Sequence, residues 1–426
     1  MLDIHFIREN PEVVKKACKS KNMPADIDTL LRLDGEKREM LAQVEEKKHE
    51  RNAASKRIGE MKRAGRDPGL LMDDMKKLSD EIKKADLSIA EKESVIQEIL
   101  IGVPNIPHKS VPVGADASKN AFVHEWGEKK RFSFKPKVHD KLGEELDILD
   151  LKRAAKITGS GFVLFKGAGA LLERALIDFM IDIHVQEHGF IEISPPFIVN
   201  RMSMFGTGQL PKLEEDMYDL EEAKYFLIPT AEVPVTNIFR DEILQEDDLP
   251  VRYVAYTPCF RKEAGSYGKD TTGMTRVHQF DKVELVKFVK PEESYQEHED
   301  LLKCSEKILQ KLDIPYRVLL LASGDMSFAA AKCYDIEAWS PGLGRYLEVS
   351  SCSNFEDFQA RRMNIRFRRK KTGKNEFVHT LNSSGIALAR TFIALIETYQ
   401  NEDGSVTIPG ALRPYMKGVE KITADK

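Results

Sequence analysis

The chain has 426 residues, enough for two or three domains with a sizeable core; 31% of them are charged, yet the formal net charge is only −4. That balance excludes a polycation, so any nucleic-acid contact has to use a local basic surface. No apolar run is long enough to span a bilayer. The five cysteines (Cys18, Cys259, Cys304, Cys333, Cys352) are scattered without a C-x-x-C pair, which fits neither a disulfide framework nor a zinc-ligand spacing and suits a reducing cytoplasm. The N-terminus, MLDIHFIRENPEVV, carries acids and lacks an apolar signal core, so export is not expected.

Residues 1 to about 23 read as one short helix. Apolar residues then recur at Leu71, Met75, Leu78, Ile82, Ala85, Ile89, Ile96 and Ile99, a four-three stride broken only at Lys92. Ile27, Leu30, Leu41, Val44 and Ile58 keep the same stride upstream, and KRAGRDP (62–68) supplies a Gly and a Pro for a reversal. Residues 27 to 100 should therefore form an antiparallel two-helix arm. Its distal part is basic (Lys47, Lys48, Arg51, Lys56, Arg57, Lys62, Arg63, Arg66), which is either a solvated helix face or a phosphate-binding surface. The Pro, Gly and Ser of residues 101–120 mark a hinge. The expected organisation is an arm domain over 1–103, a linker over 104–125 and a body over 126–426.

The body opens near Trp126 with a polar helix over 144–156. GSGFVLFKGAGALLERAL then reads as a strand, a Gly turn and a long helix with the stripe Leu171, Leu172, Ala175, Phe179 and Ile183, ending at Gly189. FIEISPPFIV reads as a strand bearing Pro195 and Pro196. Within the helix, His184-Val185-Gln186-Glu187-His188 fits an H-x-x-E-H zinc pattern. Histidines are also favoured at a helix C-terminus by the dipole, and no third ligand is signposted, so zinc is not expected. Residues 204–218 read as a polar, Gly-bearing loop. Thr230-Ala231-Glu232 fits a helix start, with Thr230 as cap and Glu232 in the first turn.

The most informative stretch is YTPCFRKEAGSYGKDTTGMTRVHQFDKVE, residues 256–284. It reads as a strand ending in Arg261 and Glu263, then a loop holding Gly265, Gly268, Thr271-Thr272 and Gly273, then a strand from Thr275 carrying Arg276, Phe280 and Glu284. Two arginines, two carboxylates and an aromatic converging on one sheet surface suit a nucleoside triphosphate: guanidinium for phosphate, carboxylate for the adenine amino group, Phe280 for the base. Downstream, residues 291–312 form an amphipathic helix. Glu348 and Ser351 set a carboxylate and a hydroxyl at i and i+3 beside a strand, either an ordinary strand end or oxygens for Mg²⁺ with ATP phosphates completing the shell. Arg361, Arg362, Arg366, Arg368, Arg369, Lys370 and Lys371 form a second basic cluster. HTLNSSGIALARTFIALIETYQ reads as strand, turn and helix, with Arg390 about one turn in.

CFRKEAGSYGKDTTGMTRVHQFDKVE resembles motif 2 of class II aminoacyl-tRNA synthetases in the form found in seryl-tRNA synthetases. The likeness extends along the chain: arm, VPN linker, the helix–strand–proline of motif 1, TAE at 230–232, E-V-S-S at 348–351, motif 3 around Arg390, and the closing IPGALRPYM. Ser383 and Ala389 stand where many members have Gly. The fold implied is α+β, an antiparallel sheet flanked by helices with the coiled-coil arm in front. No strand–GxGxxG–helix signature speaks for a Rossmann domain instead.

The resemblance implies that ATP and L-serine form seryl-adenylate, and that the seryl group passes to tRNA(Ser), with tRNA(Sec) admitted as a second acceptor. Arg261 would bridge the serine carboxylate and the α-phosphate. Glu263 and Phe280 would hold adenine, Arg276 and Arg390 the outer phosphates, and Glu348 and Ser351 Mg²⁺. Lys262, Val277, Val349 and Ser350 join the ATP set, and Thr230, Ala231, Glu232, Glu284 and Ser384 the serine set. The arm would bind the long variable arm and elbow of tRNA, and motif 1 would build a homodimer. The basic cluster at 361–371 admits contact with the acceptor end. Two rivals remain open: a ligase charging a carrier protein, and a non-catalytic RNA-binding relative.

Overall fold

The computed structural model describes residues 1–263 and 273–424. They fall into two compact units, Met1–Pro104 and Asn105–Lys426.

The first unit opens with two helices where one was expected, α1 (Ile4–Glu9) and α2 (Pro11–Ser20). The cause is local: Pro11 has no amide hydrogen to continue α1, and Asn10 leaves helical geometry at φ −133°, so Pro11 becomes the first residue of a new helix. The arm consists of α3 (Ile27–Arg63) and α4 (Gly69–Ile101). Asp26 caps α3 by accepting from the Thr29 amide at 3.0 Å, and Gly65 takes φ +69° in the reversal. Val44, Ile58, Ile82 and Ile96 are buried along the seam, whereas Leu41, expected there, is exposed. At the break in the stride, Lys92 donates across the seam to Glu36 at 2.5 Å.

The second unit is built on an eight-stranded sheet: β1 (Ala121–Trp126), β2 (Ile191–Glu192), β3 (Val251–Phe260), β4 (Gln279–Val289), β5 (Tyr316–Leu320), β6 (Lys332–Ser340), β7 (Arg345–Asn354) and β8 (His379–Ala387). Their spatial order is β1-β5-β6-β7-β8-β4-β3-β2. Every pairing is antiparallel except β2 with β3. Residues 104–125, expected as a linker, belong largely to this unit. The buried Asn105 side chain donates to the carbonyls of Ala329 (2.9 Å) and Phe355 (2.8 Å), and β1 closes one sheet edge. Pro and Gly content there marks irregular backbone, which tertiary hydrogen bonds nonetheless fix in place.

The expected polar helix at 144–156 is two helices, α5 (His139–Glu145) and α6 (Leu151–Thr158), separated around Asp147 at φ +55°. The strand expected before the long helix reduces to one bridge, Leu149 with Phe165. Helix α7 (Ala168–Gln186) buries Leu172, Ala175, Phe179 and Ile183 as its spacing requires. Pro195 and Pro196 split the following strand into β2 and a short segment, Ile198–Asn200, because neither can donate to a ladder. The loop expected at 204–218 starts inside α8 (Arg201–Thr207), which ends at Gly208 with φ +96°.

Helices α9 (Glu232–Thr236), α10 (Ser294–Lys311), α11 (Phe358–Met363) and α12 (Leu388–Thr398) complete the frame. Strand alternation decides where the site lies. On β4, Val283 and Leu285 enter the main core with residues of α7, α10 and α12. Val286 and Phe288 enter a separate core with Ala231, Val235, Ala360 and Met363. Phe280, Lys282 and Glu284 precede these even-numbered residues on the same face. The expected strand start at Thr275 shifts to Gln279. Before it, the Met274 amide and the Thr275 carbonyl bond to side chains (His139 and Arg390) and not to a neighbouring strand. The glycine loop expected with Gly265, Gly268 and Thr271-Thr272 lies outside the described residues.

Candidate active site

Thr230, Glu232, Arg261, Glu263, Arg276, Val277, Phe280, Glu284, Glu348, Val349, Ser350, Ser351, Ser384 and Arg390 line one pocket of about 710 Å³. That volume is in the range of a small-molecule site. Two expected members are elsewhere. Ala231 is fully buried as the N-cap of α9, and the Lys262 ammonium pairs with Asp219 at 3.1 Å.

At one end of the pocket the Arg261 guanidinium lies 5.2 Å from the Phe280 ring centroid and donates to the Pro229 carbonyl at 3.3 Å. Glu263 sits just past β3 at φ +52° and accepts from Arg276. The carboxylate and guanidinium assigned separate roles are thus one ion pair. Arg390 donates to the Thr275 carbonyl (3.0 Å) and the Glu348 carbonyl (2.8 Å), tying three motifs together. It lies at the start of α12, which follows β8 directly without the expected turn.

Glu348 and Ser351 lie within β7 and not at its end. Three residues apart on a regular strand they would face opposite ways. The register moves from Ile336↔Ser350 to Glu337↔Glu348, leaving Val349 as an extra, bulged residue, and this turns both side chains to one face. Ser351 Oγ lies 3.2 Å from a Glu348 oxygen and donates to Asp335 at 2.6 Å. Burial first, and Glu348 second, push the Asp335 carboxyl well above the usual range. An exposed carboxylate and a hydroxyl on one face form an oxygen donor set that fits a hard divalent cation.

The opposite end is buried and charged. Lys282 pairs with Glu284 at 2.5 Å and donates to Thr230 Oγ1 at 2.8 Å. The Glu232 amide is 3.2 Å from the same Thr230 oxygen, so Thr230 does serve the start of α9, one residue ahead of its N-cap. Glu232 accepts from Gln359 Nε2 at 2.6 Å, and Gln359 is itself oriented by the Thr207 carbonyl and the Thr380 hydroxyl. Burial, with Glu284 second, pushes the Glu232 carboxyl up to about 7. Beneath the pocket, Ser383 is fully buried with its Oγ 2.8 Å from Ser305 Oγ, so a hydroxyl is accommodated there by pairing.

Lys282, Asp335 and Gln359 were not foreseen. Lys282 was within reach, since it shares a strand face with Phe280 and Glu284. Asp335 comes from β6 and Gln359 from α11, and only tertiary pairing brings them in. The basic cluster at 361–371 is largely committed within the fold. Arg362 donates to the carbonyls of Phe205 (2.7 Å) and Leu210 (3.0 Å), Arg369 pairs with Glu246, Glu292 and Glu376, and Lys370 pairs with Asp247. His184, in the last turn of α7, and His188, just past its end, do come together. Their Nδ1 atoms are 3.0 Å apart, and burial pushes His184 down to about 3, so one ring is simply a partner for the other.

This sheet, with phosphate-suited arginines at one end of its pocket and a buried acidic cluster at the other, has the architecture of a class II synthetase. The tRNA synthetase class II core domain (G, H, P, S and T) matches residues 212–399. The seryl-tRNA synthetase N-terminal domain matches residues 1–107. The chain is 56% identical to the serine–tRNA ligase of Carboxydothermus hydrogenoformans over 99% of both chains. It superposes on the seryl-tRNA synthetase of Pyrococcus horikoshii complexed with ATP with a TM-score of 0.95, at 40% identity over the whole of both chains. For the cytoplasmic serine–tRNA ligase of Naegleria fowleri in complex with AMP the TM-score is 0.90 at 28% identity. The chain belongs to the seryl-tRNA synthetase family.

Proposed function

We propose that this pocket joins L-serine to ATP, giving seryl-adenylate and pyrophosphate, and then transfers the seryl group to the terminal ribose of tRNA(Ser), with tRNA(Sec) as a second acceptor. The observation that carries the reading is the division of one pocket into a guanidinium end and a buried carboxylate end. Phosphoryl transfer asks mainly for positioning and charge neutralisation. Arg261 would draw the serine carboxylate towards the α-phosphate for in-line attack. Phe280 would stack on adenine and Glu263 accept from its amino group. Arg276 and Arg390 would hold the outer phosphates. Glu232, Glu284 and Thr230 would receive the α-ammonium and hydroxyl of serine near Ser384. No general base is assigned.

Glu348 and Ser351 would hold Mg²⁺, which when bound offsets phosphate charge. Asp335, by accepting the Ser351 hydroxyl proton, would leave that oxygen's lone pairs for the ion. On the arm, Lys47 and Lys48 are engaged with Glu81 and Asp86, while Lys56, Arg57, Lys62 and Arg66 are exposed and in no ion pair among the described residues. Those four form the surface we assign to tRNA phosphates. A homodimer through motif 1 would cover Ile191 and Ile198, which are 60% and 51% exposed. Among the described residues no helix is long and apolar enough to cross a membrane. The free cysteines suit a cytoplasmic setting.

The test is ATP–pyrophosphate exchange with serine, threonine, alanine and glycine, followed by charging of tRNA(Ser). Serine-dependent exchange plus charging is expected. Exchange without charging would favour a carrier-protein ligase, and no exchange at all a non-catalytic relative.

A further inference from the structure

Behind the pocket, the segment that carries Thr275 and Arg276 is held by a buried pair, His139 and Glu397, to which no role was assigned from the sequence. Glu397, near the end of α12, is fully buried. Its Oε1 accepts from the His139 amide (2.9 Å) and faces His139 Nδ1 (3.1 Å). Its Oε2 accepts from the amides of Gly342 (2.9 Å) and Leu343 (3.4 Å) and from Ser340 Oγ. A carboxylate surrounded by donors can only accept, so Nδ1 carries the imidazole proton. In the neutral ring Nε2 is then a bare acceptor, and it faces the Met274 amide at 3.1 Å. The fit is close. A Cβ on Gly273 would stand 2.1 Å from His139 Nε2, and Gly273 also takes φ +63°. One residue on, the Thr275 carbonyl receives Arg390, and next to it Arg276 pairs with Glu263.

We infer that His139, oriented by Glu397, is a positioning residue that fixes the Met274–Arg276 segment and so aligns Arg276 and Arg390 for the phosphates of ATP. The inference rests on the reading of the pocket as an ATP and serine site. Nothing in the pair touches the serine end, so its effect belongs to ATP binding alone. The two imidazole nitrogens do different work, and two substitutions separate them. His139→Asn keeps a donor near the Nδ1 position for Glu397 but cannot reach Met274. His139→Gln offers an acceptor near the Nε2 position while giving up the bond to Glu397.

Serine-dependent ATP–pyrophosphate exchange is measured for wild type and both variants, with KM for ATP and for serine taken separately and thermal midpoints recorded. The expected result is a rise of about tenfold in ATP KM for His139→Asn, the order expected for one buried amide left unpaired. Serine KM stays within about twofold, and His139→Gln recovers most of the ATP KM. An unchanged ATP KM in His139→Asn overturns the inference. So does an equal rise in both KM values in both variants that follows the loss in thermal midpoint, since that is what a merely structural residue gives. If His139→Asn does not fold, the contrast is read from His139→Gln: an ATP KM near wild type despite a lowered midpoint supports the inference, and a raised one overturns it. Absence of exchange in wild type would overturn the reading of the pocket itself, and the inference with it.

Discussion

The buried carboxylate of Glu232 predicts two opposite pH effects from one group. Burial and Glu284 raise it from the ordinary 4.5 to about 7. A folded-state value above the unfolded one means that the stability it contributes is fully present below pH 4.5 and is lost as pH rises through about 7. The loss amounts to about 3 kcal/mol by pH 8, at roughly 1.36 kcal/mol per unit. Serine binding should run the other way. On the proposed reading the α-ammonium would be received by the ionised carboxylate, so serine kcat/KM should fall below pH 7, by about tenfold between pH 8 and pH 6 for a single group titrating near 7. Glu232→Gln, whose carbonyl can still accept from Gln359, should flatten both curves: weaker serine use throughout, and higher stability than wild type at pH 8. Urea melts and initial-rate exchange kinetics at half-unit steps from pH 5.5 to 8.5 measure both. If Glu232→Gln keeps the wild-type decline in serine kcat/KM below pH 7, the carboxylate does not receive the ammonium and the assignment fails.

Two further predictions follow from the charges. Glu284→Ala leaves the Lys282 ammonium buried without its 2.5 Å partner, so beyond abolishing serine activation it should cost about 3–5 kcal/mol in a urea melt; a loss under about 1 kcal/mol would mean that Glu232 takes over the pairing. Replacing Lys56, Arg57, Lys62 and Arg66 together by Ala should leave pyrophosphate exchange unchanged while raising KM for tRNA(Ser) about a hundredfold at moderate salt; equal loss of exchange would show that the arm surface acts on the body and not on tRNA.

Much of the site was legible because strand β4 writes its pocket face into sequence at every second position: Phe280 and Glu284 can be read off directly, and Lys282 between them follows the same alternation although it was not singled out. The arm was legible for a similar reason, its seam repeating on the coiled-coil stride. What stayed hidden depends on register and on distant partners. Nothing in E-V-S-S announces that Val349 is bulged, yet without the bulge Glu348 and Ser351 could not share a face. His139 lies far from Met274 in sequence, and its role exists only through the 3.1 Å bond. The cluster at 361–371 admitted contact with the tRNA acceptor end because charge shows in a sequence and pairing does not. Arg369 with three carboxylates has little charge left to offer.

The placement of Lys282 explains how a pocket built for a small zwitterion can hold two carboxylates side by side. With Glu232 and Glu284 both ionised, Lys282 leaves one net negative charge, which the serine ammonium would neutralise on the reading proposed above. With Glu232 protonated, the cluster is already neutral and the ammonium has no counterpart. Lys282 also fixes the hydroxyl of Thr230, so the polar atoms at this end are oriented before any ligand arrives. Such a site discriminates by what is missing. Alanine would satisfy the charge but leave the groups arranged for a hydroxyl buried and unpaired, a penalty of about 1–3 kcal/mol for each group left without a partner. Threonine keeps the hydroxyl, and only the space beside it can reject the extra methyl, which a pocket of this kind does weakly. Exchange should therefore show alanine excluded more strongly than threonine. That ordering separates selection by hydrogen bonding from selection by size, which would admit the smaller alanine first.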